Sequence, residues 1–132
     1  RNDMLRATME GVSFSLKDCL ELFSAVGVHP EKTVLCGGGA KSALWRNMLT
    51  DVFDTETCTS SSTESCALGA AILAGVVSGV YATVKEGCVK SVFENDALAP
   101  NSEKSAVYAK YYEIFKKAYP ARKELNIELV KA

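Results

Sequence analysis

The sequence predicts an α/β layer, and three observations carry that expectation. A short apolar run, Val34-Leu35-Cys36, leads directly into three glycines, and a helix-compatible stretch follows them. A second extended segment, about Thr55 to Thr59, comes after that helix and before another. The order strand, glycine loop, helix, strand, helix is that of strands covered by helices.

Residues 4–26 open the chain as one helix, with Leu5, Met9, Val12, Leu16, Leu20, Phe23 and Val26 recurring at spacings of three and four. Asp3 is a candidate N-cap and Gly27 a candidate stop. A connection through His29 and Pro30 reaches the strand at 33–36. The helix after the glycines runs from about Ser42 to Phe53 and places Leu44, Trp45, Met48, Leu49 and Val52 on its apolar face. Ser60 to Ser62 mark a loop. Either the Ser61/Glu64 capping box or Thr63 then starts a helix over 63–79, rich in Ala and Gly and stopped at Gly79. Thr83 and Glu86 repeat the capping-box spacing ahead of a short helix from Val84. Residues 89–94 read as extended, and Asn95 to Asn101 as a linker. A last helix spans 102–118 with a stripe of Tyr108, Tyr111, Tyr112, Phe115 and Tyr119, read as packing. Pro120 breaks or bends it, and 121–130 can continue as helix. At 132 residues the natural count is one domain, with an α/β core over 1–98 and closing helices over 101–132.

Composition narrows the function classes. A net charge of −1 gives no electrostatic case for nucleic acid or an anionic membrane. The stretch from Cys66 to Val84 carries no charge, but Gly79 leaves its helix too short to span a bilayer. The five cysteines (Cys19, Cys36, Cys58, Cys66, Cys88) show no CxxC and read as small buried hydrophobes. That usage, with no signal peptide, points to a reducing, cytoplasmic setting. His29 is the one histidine, beside Pro30 in a connection, and has no obvious acid or nucleophile partner, so it reads as a surface loop residue. Asp51 and Asp54 read as solvated, and no carboxylate stands out as a general base.

Chemistry therefore concentrates at Gly37, Gly38 and Gly39. Glycine at a strand-to-helix junction takes φ > 0 and lets another molecule approach bare backbone. The helix start adds unpaired N–H groups and partial positive charge. The string fits neither GxxxxGK[ST] nor GxGxxG. Read by itself it admits two readings: a tight, close-packed turn, or a seat for a phosphate or nucleotide.

Two strings taken together weigh on that choice. The first is Cys36-Gly37-Gly38-Gly39-Ala40-Lys41-Ser42-Ala43-Leu44-Trp45-Arg46 with Leu49-Thr50-Asp51-Val52; the second runs from Glu64 through Ala67-Leu68-Gly69-Ala70-Ala71 to Gly75. In order and spacing they resemble the C-terminal part of the FGGY carbohydrate kinases, and within that family the xylulose kinases. The opening helix, from Asn2-Asp3-Met4-Leu5-Arg6-Ala7 through Glu10-Gly11-Val12-Ser13-Phe14, is similar to a helix of the family, and Tyr108 to Tyr112 with Tyr119-Pro120 resembles its closing helix.

The resemblance implies a ribonuclease H-like, actin-like ATPase fold, with this chain as most of the nucleotide-side domain. It implies ATP or ADP with Mg²⁺ as cofactor and a sugar as second substrate. By position, Gly37, Gly38 and Gly39 would contact the nucleotide through backbone, and Ser42 through its side chain. Lys41 is near enough to be considered, although its charge can simply face water. The Ala/Gly helix would pack at a moving interface between domains. The family's catalytic aspartate, sugar-contact residues and first phosphate loops have no counterpart in residues 1–132, and the chain begins at Arg1. The expectation is a piece of a longer sugar kinase, inactive alone, whose parent converts xylulose to xylulose 5-phosphate. Other sugars of the family, such as ribulose, gluconate and glycerol, stay open, because the residues that read the sugar are absent. Two rivals remain: a stand-alone nucleotide-binding module, and a structural domain in which the Ala/Gly helix forms a subunit interface, as in a homodimer.

Overall fold

The computed structural model describes residues 1–62 and 64–131. Five α-helices, three strands and one 3₁₀ turn follow in order among them: α1 (Asn2–Ala25), β1 (Lys32–Leu35), the 3₁₀ turn (Gly38–Lys41), α2 (Ala43–Phe53), β2 (Glu56–Ser60), α3 (Ser65–Val77), α4 (Val84–Ser91), β3 (Glu94–Leu98) and α5 (Ser102–Lys131). The chain divides into two compact units. One comprises Arg1–His29, Asp51–Asp54 and the chain from Pro100 onward; the other comprises Pro30–Thr50 and Thr55–Ala99.

In the helical unit, α1 packs on α5 through Phe14. Its ring meets those of Tyr108, Tyr112 and Phe115, with centroids 6.1, 5.9 and 5.4 Å away. Ser13 is fully enclosed beside it, and its hydroxyl donates to the Met9 carbonyl at 2.8 Å. The Tyr112 hydroxyl donates to Asp18 Oδ1 at 2.5 Å. Burial first, and then that bond, hold the Tyr112 phenol well above its usual range. The expected stripe is thus only partly a packing stripe, because Tyr111 and Tyr119 lie exposed. Helix α5 runs on through Pro120 to Lys131. Helix α1 starts at Asn2, so Asp3 sits in its first turn and does not cap it.

Asp51 corrects the sequence reading most clearly. It is buried, not solvated. Its Oδ1 accepts the Asn101 N–H at 2.9 Å, just ahead of α5, and Lys104 Nζ lies 3.9 Å from its Oδ2. The carboxylate satisfies a main-chain donor at the approach to a helix and gains a cation in the first turn, which offsets the cost of burial. Asp54 is exposed, in the left-handed region at φ 54°.

In the second unit, β2 is the central strand. It pairs in parallel with β1 (Lys32 opposite Glu56, Leu35 opposite Thr59) and antiparallel with β3, the register shifting between Thr57 and Thr59. The parallel pair is what a strand–helix–strand crossover through α2 produces. Leu35, Met48, Leu49, Cys58 and Ile72 are buried in this unit. A hydrogen bond of 2.6 Å joins the buried Thr50 and Thr57 hydroxyls, tying α2 to β2. Strand β3 replaces the linker expected after Asn95. Its residues are nearly all exposed, so no alternation of apolar side chains announces it.

The cysteine expectation holds for Cys58 alone, whose thiol burial pushes up in pKa. Cys19, Cys36, Cys66 and Cys88 are exposed. Cys36 lies just past buried Leu35, beyond the end of β1.

Helix α3 is apolar on nearly all sides, yet only Ile72 of it is buried. It pairs with α4 across a Tyr81 ring. A Cβ on Gly75 would fall 2.7 Å from that ring, and one on Gly87 would fall 2.9 Å from it and 2.7 Å from Ile72 Cγ2. Thr83 caps α4 as expected, accepting the Glu86 N–H at 3.1 Å. The expected box at Ser61 does not form: Ser61 Oγ instead accepts the Phe93 N–H at 3.2 Å, and Ser62 Oγ accepts that of Glu64. Thr63, the alternative cap, lies outside the described residues. Among the described residues, no helix is long and apolar enough to cross a membrane.

Candidate functional site

The glycine loop leaves β1 at Leu35 and turns at Gly37, where φ is 79° and ψ −173°. That conformation is open to glycine and strained for any side chain. The 3₁₀ turn begins at Gly38. The Ala40 N–H bonds the Gly37 carbonyl at 3.2 Å, and the Ser42 N–H closes on the Gly39 carbonyl at 3.1 Å. A 3₁₀ ladder joins residues three apart, so the Gly38 and Gly39 amides precede it, as orphan donors do at any helix start. Both Gly37 and Gly38 are exposed, and a Cβ on Gly38 would meet nothing within 4 Å.

Gly39 is different. A Cβ there would fall 3.0 and 3.1 Å from two carbons of the Trp45 ring. The indole thus lies against the loop from its α2 side. Ser42 joins turn to helix: it ends the 3₁₀ segment in an extended conformation, and its Oγ accepts the Trp45 N–H at 3.3 Å. This N-cap leaves the hydroxyl hydrogen available to a further acceptor. The exposed Lys41 side chain stands beside it.

Sequence reasoning assigned no role to Arg46. Its Nη1 donates to the Ala40 carbonyl at 3.0 Å and lies 3.5 Å from Asp96 Oδ2. Asp96 belongs to β3, where φ is 50°. Reading this segment as a linker hid the partner, so nothing in the sequence marked the pair. The structure therefore brings Gly37, Gly38, Gly39 and Ser42 into one continuous turn, with Trp45 and Arg46 behind it. Among the described residues, no three His, Cys, Asp or Glu side chains converge as metal ligands.

Residues 1–78 match the model of the FGGY family of carbohydrate kinases, C-terminal domain. The chain belongs to the FGGY carbohydrate kinase family. This FGGY domain is 34% identical over 129 residues to the xylulose kinase of Bacillus subtilis, covering 98% of the chain and 26% of that protein. Among solved structures it is similar to a gluconate kinase from Lactobacillus acidophilus, with TM-score 0.80 and 25% identity over 90% of the chain and 24% of that protein. It also shares the fold of a xylulose kinase from Rhodospirillum rubrum, with TM-score 0.77 at 21% identity over 92% of the chain and 25% of that protein. The fold class is thus that of sugar kinases with the actin-like ATPase architecture, represented here by a mixed α/β part of the C-terminal domain. The chain spans about a quarter of the length of the relatives it matches.

Proposed function

We propose that this chain is the nucleotide-side part of an ATP-dependent sugar kinase, cytoplasmic, whose full length phosphorylates xylulose to xylulose 5-phosphate. Gly37, Gly38, Gly39 and Ser42 form the part of the adenine-nucleotide seat that this chain contributes. One observation supports that reading above the others: a glycine-only turn at Gly37 opens onto unoccluded space at Gly38 and leads through a capping serine into α2. A phosphate or ribose hydroxyl can reach the bare backbone there, and the Gly38 and Gly39 amides, ahead of the 3₁₀ ladder, are the donors available to it. The xylulose kinases among the relatives favour xylulose as the sugar.

The residues fit a nucleotide, because the seat is polar main chain that no Cβ fills. When bound, ATP supplies the phosphoryl group that is transferred. The chain's own contribution is to bind and orient: the glycine amides hold oxygen atoms in place and the Ser42 hydroxyl donates to one of them, the kind of positioning on which phosphoryl transfer depends. The described residues do not assemble a Mg²⁺ site, and the ion enters this reading only with the nucleotide's phosphates. The catalytic aspartate and the sugar contacts belong to the remainder of the parent enzyme, so the 132-residue chain by itself transfers no phosphate to D-xylulose.

Gly38→Val in the full-length enzyme tests the seat. A side chain at 38 fills the approach without touching the surrounding protein, so ATP KM rises roughly tenfold or more while the fold persists. Unchanged ATP KM and kcat in a folded variant would remove the nucleotide role from this loop.

A further inference from the structure

We propose that Arg46 is a positioning residue for the nucleotide loop, fixing the Ala40 peptide so that the Gly38 and Gly39 amides keep their aim. This rests on the reading of Gly37–Gly39 as a nucleotide seat.

The same nitrogen, Nη1, serves two elements. It donates to the Ala40 carbonyl inside the 3₁₀ turn at 3.0 Å and faces Asp96 Oδ2 on β3 at 3.5 Å. The Arg46 side chain is only 20% exposed, so the charge is largely withdrawn from water. Its Nε is buried with no hydrogen-bond partner. Leaving a guanidinium donor unpaired is unfavourable, and a neutral donor would satisfy one carbonyl with less desolvation. The arrangement is therefore organised around the Nη1 bridge and not around satisfying the arginine. Asp96 adds a second local departure: a non-glycine residue in the left-handed region, which costs backbone strain and sits where the β2–β3 register shifts. Two unfavourable local features meeting at one contact on a ligand loop is the pattern expected of a functional support.

The mechanical link is short. Ala40 lies inside the turn, and its N–H makes the bond to the Gly37 carbonyl that closes the first step of the ladder. The carbonyl that Arg46 holds belongs to the next peptide unit, Ala40–Lys41; releasing it loosens Ala40 from its far side, and the two glycines ahead of it have no side chains to resist the motion. The loop then samples conformations in which its donors diverge, and nucleotide affinity falls by the fraction of time spent there.

The experiment is steady-state kinetics of the full-length enzyme with ATP and D-xylulose varied separately, alongside thermal denaturation. Arg46→Gln raises ATP KM roughly tenfold, the scale of one charge-assisted hydrogen bond, and leaves D-xylulose KM and the melting temperature near their starting values. Arg46→Lys restores part of the loss because it returns a cationic donor. Asp96→Asn, which keeps Arg46, raises ATP KM severalfold and carries the test should Arg46→Gln fail to fold. The proposal is overturned if ATP KM is unchanged in folded Arg46→Gln or Asp96→Asn while Gly38→Val raises it. It is equally overturned if both KM values and the melting temperature move together, the signature of a purely structural arginine. If Gly38→Val itself leaves ATP KM untouched, the nucleotide seat fails, and with it the Arg46 proposal.

Discussion

Trp45 occupies the space that a side chain on Gly39 would need, its ring carbons 3.0 and 3.1 Å from that Cβ position. The glycine is set by packing and not by its own dihedrals, in contrast to Gly37 with its φ of 79°. Gly39→Ala therefore lowers stability by about 1–2 kcal/mol as the indole is pushed aside. Trp45→Leu, which removes the opposing ring, makes the alanine better tolerated, so a double-mutant cycle by denaturant unfolding shows favourable coupling between the two substitutions. Additive losses would contradict the contact.

The chain holds one tryptophan. Because its indole lies against the loop, the proposed nucleotide seat predicts that nucleotide binding changes its emission. Titration of the full-length enzyme with ADP is the measurement; any other tryptophan of that enzyme is first replaced, and the signal is expected to disappear with Gly38→Val.

Tyr81 is gripped between two glycines of different helices. Gly75→Ala and Gly87→Ala each place a methyl within 2.9 Å of existing atoms, and each lowers stability by about 1–3 kcal/mol. Gly87→Ala is the more damaging, because Gly87 is buried and its Cβ also strikes Ile72. Tyr81→Phe, losing only the 3.1 Å hydrogen bond to Ser91, lowers it by about 1 kcal/mol. Chemical denaturation of the three variants gives the order.

Asp51→Ala leaves the Asn101 N–H without its acceptor and lowers stability by about 1–2 kcal/mol. Asp51→Asn keeps an acceptor but loses the charge near Lys104, and falls between wild type and alanine. Thermal unfolding distinguishes the three proteins.

Tyr112 makes stability sensitive to alkali. Its phenol titrates above its ordinary value of 10.0 in the folded chain, chiefly through burial and next through the Asp18 bond. The folded state therefore holds a proton that the unfolded state gives up. The contribution is complete below pH 10 and declines as pH rises toward the folded pKa. Tyr112→Phe flattens that alkaline decline, and a pH series of denaturant midpoints shows whether it does. Tyr108, also raised by burial, supplies part of what slope remains.

The legible parts of the fold were those with periodic apolar residues or local turn chemistry. Helix α1, the β1–glycine–α2 passage and the Thr83 cap came from such signals, and Gly27, Gly37 and Gly79 all adopt the positive φ that their positions suggested. What escaped were contacts between segments distant in sequence. Asp51 reads as a surface acid until Asn101 arrives beside it, fifty positions later. Strand β3 carries the turn formers Asn95 and Asp96 and is held by pairing with β2, which no local pattern encodes. Arg46 was visible in the motif, but its contact with Asp96 depends on that unseen strand. The proposed nucleotide seat rests on the motif and on the shape of the turn.

The three-stranded sheet has β1 at its margin. The outward row of main-chain groups on β1 has no neighbouring strand among the described residues, and Val34 on it is 50% exposed. Such a margin is a template for any other extended chain, including another copy of itself. Preparations of these 132 residues alone are therefore prone to strand exchange and fibrillar loss, and their behaviour varies with protein concentration before any ligand is added.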